Sequence, residues 1–314
     1  MRNILAAVVL AVVALVGVAA QPPAIITEVR GAIKANDFAA GDKLLAAYRT
    51  AHGITPDYLE ALSWMGRGTL AAKNLDAAER YARDTYQQSI AMLKTRPLDQ
   101  EPRLPIALGA AIEVLAQVET ARGARSEAVL FLQKEVAAYK GTSIEKRIQK
   151  NINLITLEGQ PAPALEMSEY LGTKPPSIAS LKGKVVLLFF WAHWCGDCKQ
   201  QAPILAELMK KYGDQGFVVV SPTMRFGYVA RGKTAPADEE MRYIEQVRQE
   251  FYPMLAGQPI PVSEATHLRF GVSTTPTLVL LDRAGVIRMY NPGRLTMEQL
   301  EPRVRALVER QSAE

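Results

Sequence analysis

The chain has 314 residues, room for about two domains of ordinary size, so a single small disulfide-stapled module is excluded. Hydrophobic residues make up 48% and charged residues 22%, a composition that excludes disordered and fibrous classes. The formal charge of +5 comes from basic residues scattered without a long run, which favours solubility and leaves no nucleic-acid footprint.

Residues 4–20 carry no charge, and Arg2 precedes them. This is the n-region and h-region of a secretory signal. Val18-Ala19-Ala20 places small residues where a signal peptidase reads, and Gln21-Pro22-Pro23 then breaks any helix, so cleavage after Ala20 is expected. An uncleaved membrane anchor is the alternative, because the apolar run sits at the short limit of a membrane span. No cysteine follows the run, which removes a lipoprotein anchor. Either way the chain is expected outside the cytoplasm, as in a periplasm, and a thiol pair there meets an oxidising compartment.

Residues 24–155 repeat apolar positions every three or four residues, as in Ile26, Val29 and Ile33 or Val129, Leu132 and Val136, and are predicted helical throughout. Three segments, 36–41, 74–78 and 123–128, share a helix-pair turn followed by a small residue, Gly41, Ala78 or Ala128. The middle one, with Trp64-Met65-Gly66 upstream, resembles a tetratricopeptide repeat, but the three are unevenly spaced, so degenerate helical repeats are expected. Residues 95–105 hold three prolines and are predicted to be a loop between helix pairs. Two readings of this half stand: a bundle that only packs on its neighbour, and a solenoid-like partner groove.

At Gly159-Gln160-Pro161-Ala162-Pro163 the pattern changes. Strand-length apolar runs at 185–190, 217–220, 278–281 and 286–290 alternate with helical stretches at 198–211, 237–251 and 296–309, which predicts an α/β domain over 159–312. Asp282-Arg283-Ala284-Gly285 is hairpin chemistry, so the last two strands should be antiparallel in a mixed sheet with helices on both faces. The chain is thus read as an N-terminal all-α helical-repeat domain followed by an α/β domain.

Only two cysteines occur, Cys195 and Cys198. They follow the predicted buried strand and open a helix, where free N–H groups and the helix dipole stabilise a thiolate at Cys195. Cys198 lies one turn on, placed to attack a mixed disulfide. A zinc site would need four N or S ligands, and beyond this pair the chain has only His52, His193 and His267, so no metal is expected. A purely structural disulfide across so short a loop would stabilise little.

The C-terminal half resembles the exported thioredoxin-fold oxidoreductases of the TlpA/ResA type. The resemblance rests on Pro161-Ala162-Pro163, the run 181–187, Phe190-Trp191-Ala192-His193-Trp194-Cys195-Gly196-Asp197-Cys198-Lys199, the run Gly271-Val272-Ser273-Thr274-Thr275-Pro276-Thr277, and Gly293-Arg294-Leu295. It implies that Cys195 attacks and Cys198 resolves, and that Trp194 shields the site. It also implies that Pro276 is a cis-proline and that Thr275 pairs an extended substrate through its backbone. No cofactor is implied beyond the redox-active Cys195/Cys198 pair.

Two departures stand out. The buried aspartate that thioredoxin carries six residues before its first cysteine is replaced by Phe189, so proton transfer needs another group, water, or a carboxylate of the insertion or its flank: Glu239, Glu240 or Glu264. The insertion itself, about 221–262, reads either as a shaper of substrate choice or as a solvated excursion. Gly196 and Asp197 separate the cysteines, and the charge of Asp197 at about 7 Å opposes the thiolate by roughly 0.6 kcal/mol at solvent-like dielectric. His193 would pull the other way if protonated. The function expected is an exported thiol-disulfide oxidoreductase that reduces cell-envelope proteins, fed by a protein or membrane electron donor. A disulfide oxidase or isomerase and a thiol peroxidase are alternatives, and a helical scaffold on a thioredoxin platform is an alternative of another class. Nucleic acid is not expected as a partner, and membrane contact only through a retained anchor.

Overall fold

The structure, a computed structural model, describes residues 23–310; the expected signal at 1–20 lies outside them. The first half holds the helices α1 (Ala24–Lys34), α2 (Phe38–His52), α3 (Pro56–Ala71), α4 (Leu75–Leu93), α5 (Leu104–Ala121), α6 (Arg125–Ala138) and α7 (Glu145–Thr156). Local chemistry starts three of them: Asp37, Thr55 and Asn74 accept from the backbone N–H of Ala40, Tyr58 and Ala77 at 2.9, 3.1 and 3.1 Å, N-caps that are each worth about 1 kcal/mol. The third repeat-like segment lacks this device, since Ala124 offers α6 no side-chain cap. Small residues let these helices approach closely. A Cβ on Gly41 would fall 2.6 Å from the Met65 sulfur, and one on Gly66 would meet the backbone of Ala82 at 3.5 Å. The proline-rich stretch is shorter than expected: α5 already begins at Leu104 with Pro105 in its first turn, where the missing N–H costs nothing.

The second half contains β1 (Tyr170–Leu171), β2 (Val185–Phe190), α8 (Gly196–Tyr212), β3 (Phe217–Val220), α9 (Ala237–Phe251), β4 (Ile260–Pro261), α10 (Glu264–Arg269), β5 (Thr277–Leu281), β6 (Ile287–Pro292) and α11 (Met297–Glu309). The main sheet has the order β3-β2-β5-β6, with β2 and β3 parallel and the other pairs antiparallel. Every residue of β2 is buried, because both faces of the sheet are covered. Val185, Leu187 and Phe189 pack with Leu205 of α8, Ile244 of α9 and Val304 of α11. On the opposite face Val186, Leu188 and Phe190 meet Phe270, Val279 and Ile287, with His267 of α10 edge-on to the Phe190 ring at 5.3 Å.

The halves join through α7 and the segment after it. Gly159 N–H donates to the Ile287 carbonyl at 2.8 Å and Ile287 N–H to the Gln160 carbonyl at 2.9 Å, so the helix-breaking stretch at 159–163 pairs along β6. Gly271 sits at φ +60°, and a Cβ there would lie 2.4 Å from the Lys150 backbone nitrogen of α7. Asn153 donates to the Arg269 carbonyl at 3.2 Å, and Lys146 pairs with Glu264 at 2.7 Å.

Candidate active site

The buried strand β2 delivers the chain into Trp191-Ala192-His193-Trp194, and α8 starts immediately after Cys195. Cys195 is the N-cap of α8, and its sulfur accepts the Cys198 N–H at 3.0 Å. A sulfur in this position is solvated by the helix N-terminus, which favours its thiolate when the pair is reduced. The two cysteines form a disulfide with a Cα–Cα separation of 5.3 Å. Cys198 is fully buried and Cys195 nearly so. Gly196 and Asp197 lie exposed in the first helical turn, and the Thr275–Pro276 bond is cis. Trp194 is 51% exposed, with its ring 5.6 Å from Phe226.

The insertion builds the wall beside this site. Its first residues clamp the segment before the cysteines: Trp191 Nε1 donates to the Ser221 carbonyl at 3.1 Å, and the Thr223 hydroxyl donates to the Trp191 carbonyl at 2.8 Å. Further on, α9 places Ile244 and Val247 in the core with Tyr252, Leu255 and Ile260. A solvated excursion is therefore the wrong description; the apolar face of α9 makes the insertion part of the domain.

His193 is 1% exposed. The rings of Phe226, Tyr228 and Tyr243 stand edge-on around it at 5.3 to 5.4 Å, and its Nε2 is 3.4 Å from Glu240 Oε1. Burial pushes the His193 pKa below its ordinary value against the pull of Glu240. A lowered pKa disfavours the protonated ring, the one condition under which His193 would oppose Asp197. Of the three carboxylates open from the sequence, two face solvent: Glu239 pairs with Lys233 at 3.3 Å, and Glu264 pairs with Lys146 while 71% of its side chain is exposed. Glu240 is 1% exposed and receives the backbone N–H groups of Phe226 and Gly227.

One residue beside the dithiol escaped the sequence reading. Gln201, one turn beyond Cys198, is fully buried; its Oε1 accepts the Leu295 N–H at 2.9 Å, while its Nε2 has no partner among the described residues. The spacing of three from Cys198 was the available signal, since such residues share a helix face. Among the described residues no group of three His, Cys, Asp or Glu side chains is arranged as a metal site.

A buried strand that hands a Cys-x-x-Cys pair to the first turn of a helix is the working centre of thioredoxin-like oxidoreductases, and the C-terminal half of this chain is one. More narrowly, it carries a Redoxin domain: the Redoxin family profile matches residues 157–306. The thioredoxin-like protein YneN of Bacillus subtilis (strain 168) is 29% identical over 147 residues, covering 47% of this chain and 78% of YneN. The thiol-disulfide oxidoreductase ResA of Bacillus thuringiensis (strain Al Hakam) is 28% identical over 149 residues, covering 46% and 74%. Among solved structures, a thiol:disulfide interchange protein of the thioredoxin family from Chlorobium tepidum TLS aligns at a TM-score of 0.36 and 20% identity, over 48% of this chain and 97% of that one. The profile match falls on the C-terminal half.

Proposed function

We propose that this protein is an exported dithiol reductant of cell-envelope proteins. The observation that carries this reading is the Cys195 sulfur held as the α8 N-cap beside the buried Cys198. In the reduced protein the Cys195 thiolate attacks a substrate disulfide, forming a mixed disulfide and releasing one substrate thiolate. The Cys198 thiolate then attacks Cys195, expels the second substrate thiolate and leaves the Cys195–Cys198 disulfide, so two electrons pass to the substrate. A protein or membrane donor restores the dithiol. Trp194, Thr275 and Pro276 bind the substrate, with the Thr275 backbone pairing an extended segment, and the helical half docks a substrate or the donor. The apolar run at 4–20 supports export.

With Phe189 where thioredoxin has its aspartate, we assign the proton released from Cys198 to the Glu240–His193 pair. A neutral imidazole accepts a proton, and a carboxylate 3.4 Å away favours the imidazolium that results. Equilibration in thiol buffers, read by the fluorescence of Trp194, should place the reduction potential near about −270 mV; a value near about −120 mV would make the protein an oxidant and reverse the proposed electron flow. Cys195→Ser should abolish reduction of a protein disulfide. Retention of the biological phenotype by that variant would favour the scaffold reading.

A further inference from the structure

A cleft of about 520 Å³ opens between the two halves, with Arg67, Glu113, Arg147 and Lys150 on the helical side and Ser273 and Thr274 on the other. The four charged residues come from α3, α5 and α7. One oxygen of Glu113 serves both Arg147 at 2.8 Å and Lys150 at 3.0 Å. Arg67 has no carboxylate within ion-pair distance among the described residues; its guanidinium lies 4.5 Å from the Trp64 ring centroid, as does that of Arg30. Three cations and a single carboxylate thus line the cleft, with Glu60 acting on Arg67 from outside it. They are not free surface charges, since only 11% of the Lys150 side chain and 20% of the Arg147 side chain are exposed, and desolvated surplus charge is costly until a counter-charge arrives. Burial first, and then the neighbouring Arg147, lowers the Arg67 pKa to about 10 against the pull of Glu113 and Glu60.

The opposite wall ties the cleft to the redox site. Ser273 and Thr274 are exposed and lead directly into Thr275 and Pro276. The close backbone approach of Gly271 to Lys150 holds this segment over α7. We propose that the cleft receives a carboxylate-bearing segment of the protein substrate, so that the reductase selects disulfides flanked by Asp or Glu. Arg67 takes the acidic side chain, Arg147 and Lys150 supply the surrounding positive field, and the Ser273 and Thr274 hydroxyls donate to it. The inference rests on the reductase reading for its substrate, but the binding step is separable from the chemistry.

The test uses the full chain at low ionic strength in two measurements. In the first, calorimetry compares a cysteine-free hexapeptide rich in Glu with its Gln counterpart, on the wild type, Arg67→Gln and Arg67→Lys. The Glu peptide should bind at least about tenfold more tightly, Arg67→Gln should remove most of that preference, and Arg67→Lys should restore part of it. Equal binding of the two peptides, or a preference untouched by Arg67→Gln, overturns the proposal. So does binding of inorganic phosphate without peptide discrimination, which would leave an anion site and no substrate cleft. In the second, disulfide peptides with Glu or Gln flanks are reduced, and the advantage of the Glu flank should appear in KM with the reduction potential unchanged. Failure to reduce either peptide would count against the reductase reading alone, because the calorimetry would still decide the cleft.

Discussion

In the helical half the carboxylates Glu113 and Glu60 are held by cations, Glu113 between Arg147 and Lys150 and Glu60 by Arg103 at 3.2 Å, while Arg67 is left without an ion-pair partner among the described residues. Buried polar atoms without a hydrogen-bond partner among the described residues occur in both halves, with Gln88 Oε1, Ser89 Oγ, Glu119 Oε2 and Glu135 Oε2 in the first and Gln201 Nε2, Ser221 Oγ and the Thr275 hydroxyl in the second, but Gln201 and Thr275 lie on the segments that carry Cys198 and Pro276. Charged pairs orient helices and set the rim of a cleft, whereas unpartnered neutral groups beside a reacting pair are free to engage a substrate or a proton. The stability left ungained at such groups is the usual cost of a working site.

The largest expected effect cuts the connection between the two regions. Gly271→Ala forces a Cβ against the Lys150 backbone at a positive φ and should cost about 4 kcal/mol in urea unfolding. A smaller loss would mean that the halves separate easily and the cleft between them is not held.

Acid should separate the regions by window. In the redox half, burial lowers the His267 pKa from 6.5 to about 4. The unfolded chain therefore takes up that proton first, and about 3 kcal/mol is lost as pH falls from 6.5 to 4. For Glu113, burial raises the carboxyl, but Arg147 and Lys150 outweigh it and bring the pKa to about 2. Its contribution, also about 3 kcal/mol, is full above pH 4.5 and disappears towards pH 2. Stability measured against pH should lose its first decline in His267→Gln and its second in Glu113→Gln; one shared window would erase the distinction between the halves.

Glu240→Gln keeps the shape of the buried side chain and removes its charge. It should slow resolution of the mixed disulfide by about a hundredfold and shift the pH profile of that step. An unchanged profile would remove the pair from proton transfer. The smallest effect belongs to Asp197→His, which should lower the Cys195 pKa by at least about half a unit and raise the reduction potential measurably.

What sequence alone determined here is local. The Cys195/Cys198 spacing, the strand before it and the hairpin at 282–285 are readable because each depends on a few contiguous residues and on backbone rules that hold anywhere in a chain, whereas the cis bond at Pro276 was implied by the family resemblance. The helical half was legible as helix for the same reason, although α5 starts earlier than its prolines suggested.

Tertiary structure decided the rest. Glu239 and Glu240 are chemically identical neighbours, yet successive helix positions point about 100° apart, so the docking of α9 turns one to solvent and buries the other against His193. Burial also disfavours protonation of His193, a condition the sequence left open, since no local sequence reports the dielectric around a side chain. Arg67, Lys150 and Ser273 lie on three segments far apart in the chain, and only the packing of α7 on Gly271 brings them to one cleft. Proximity of this kind is a property of the folded chain, because it follows from the sum of many weak contacts and from no motif.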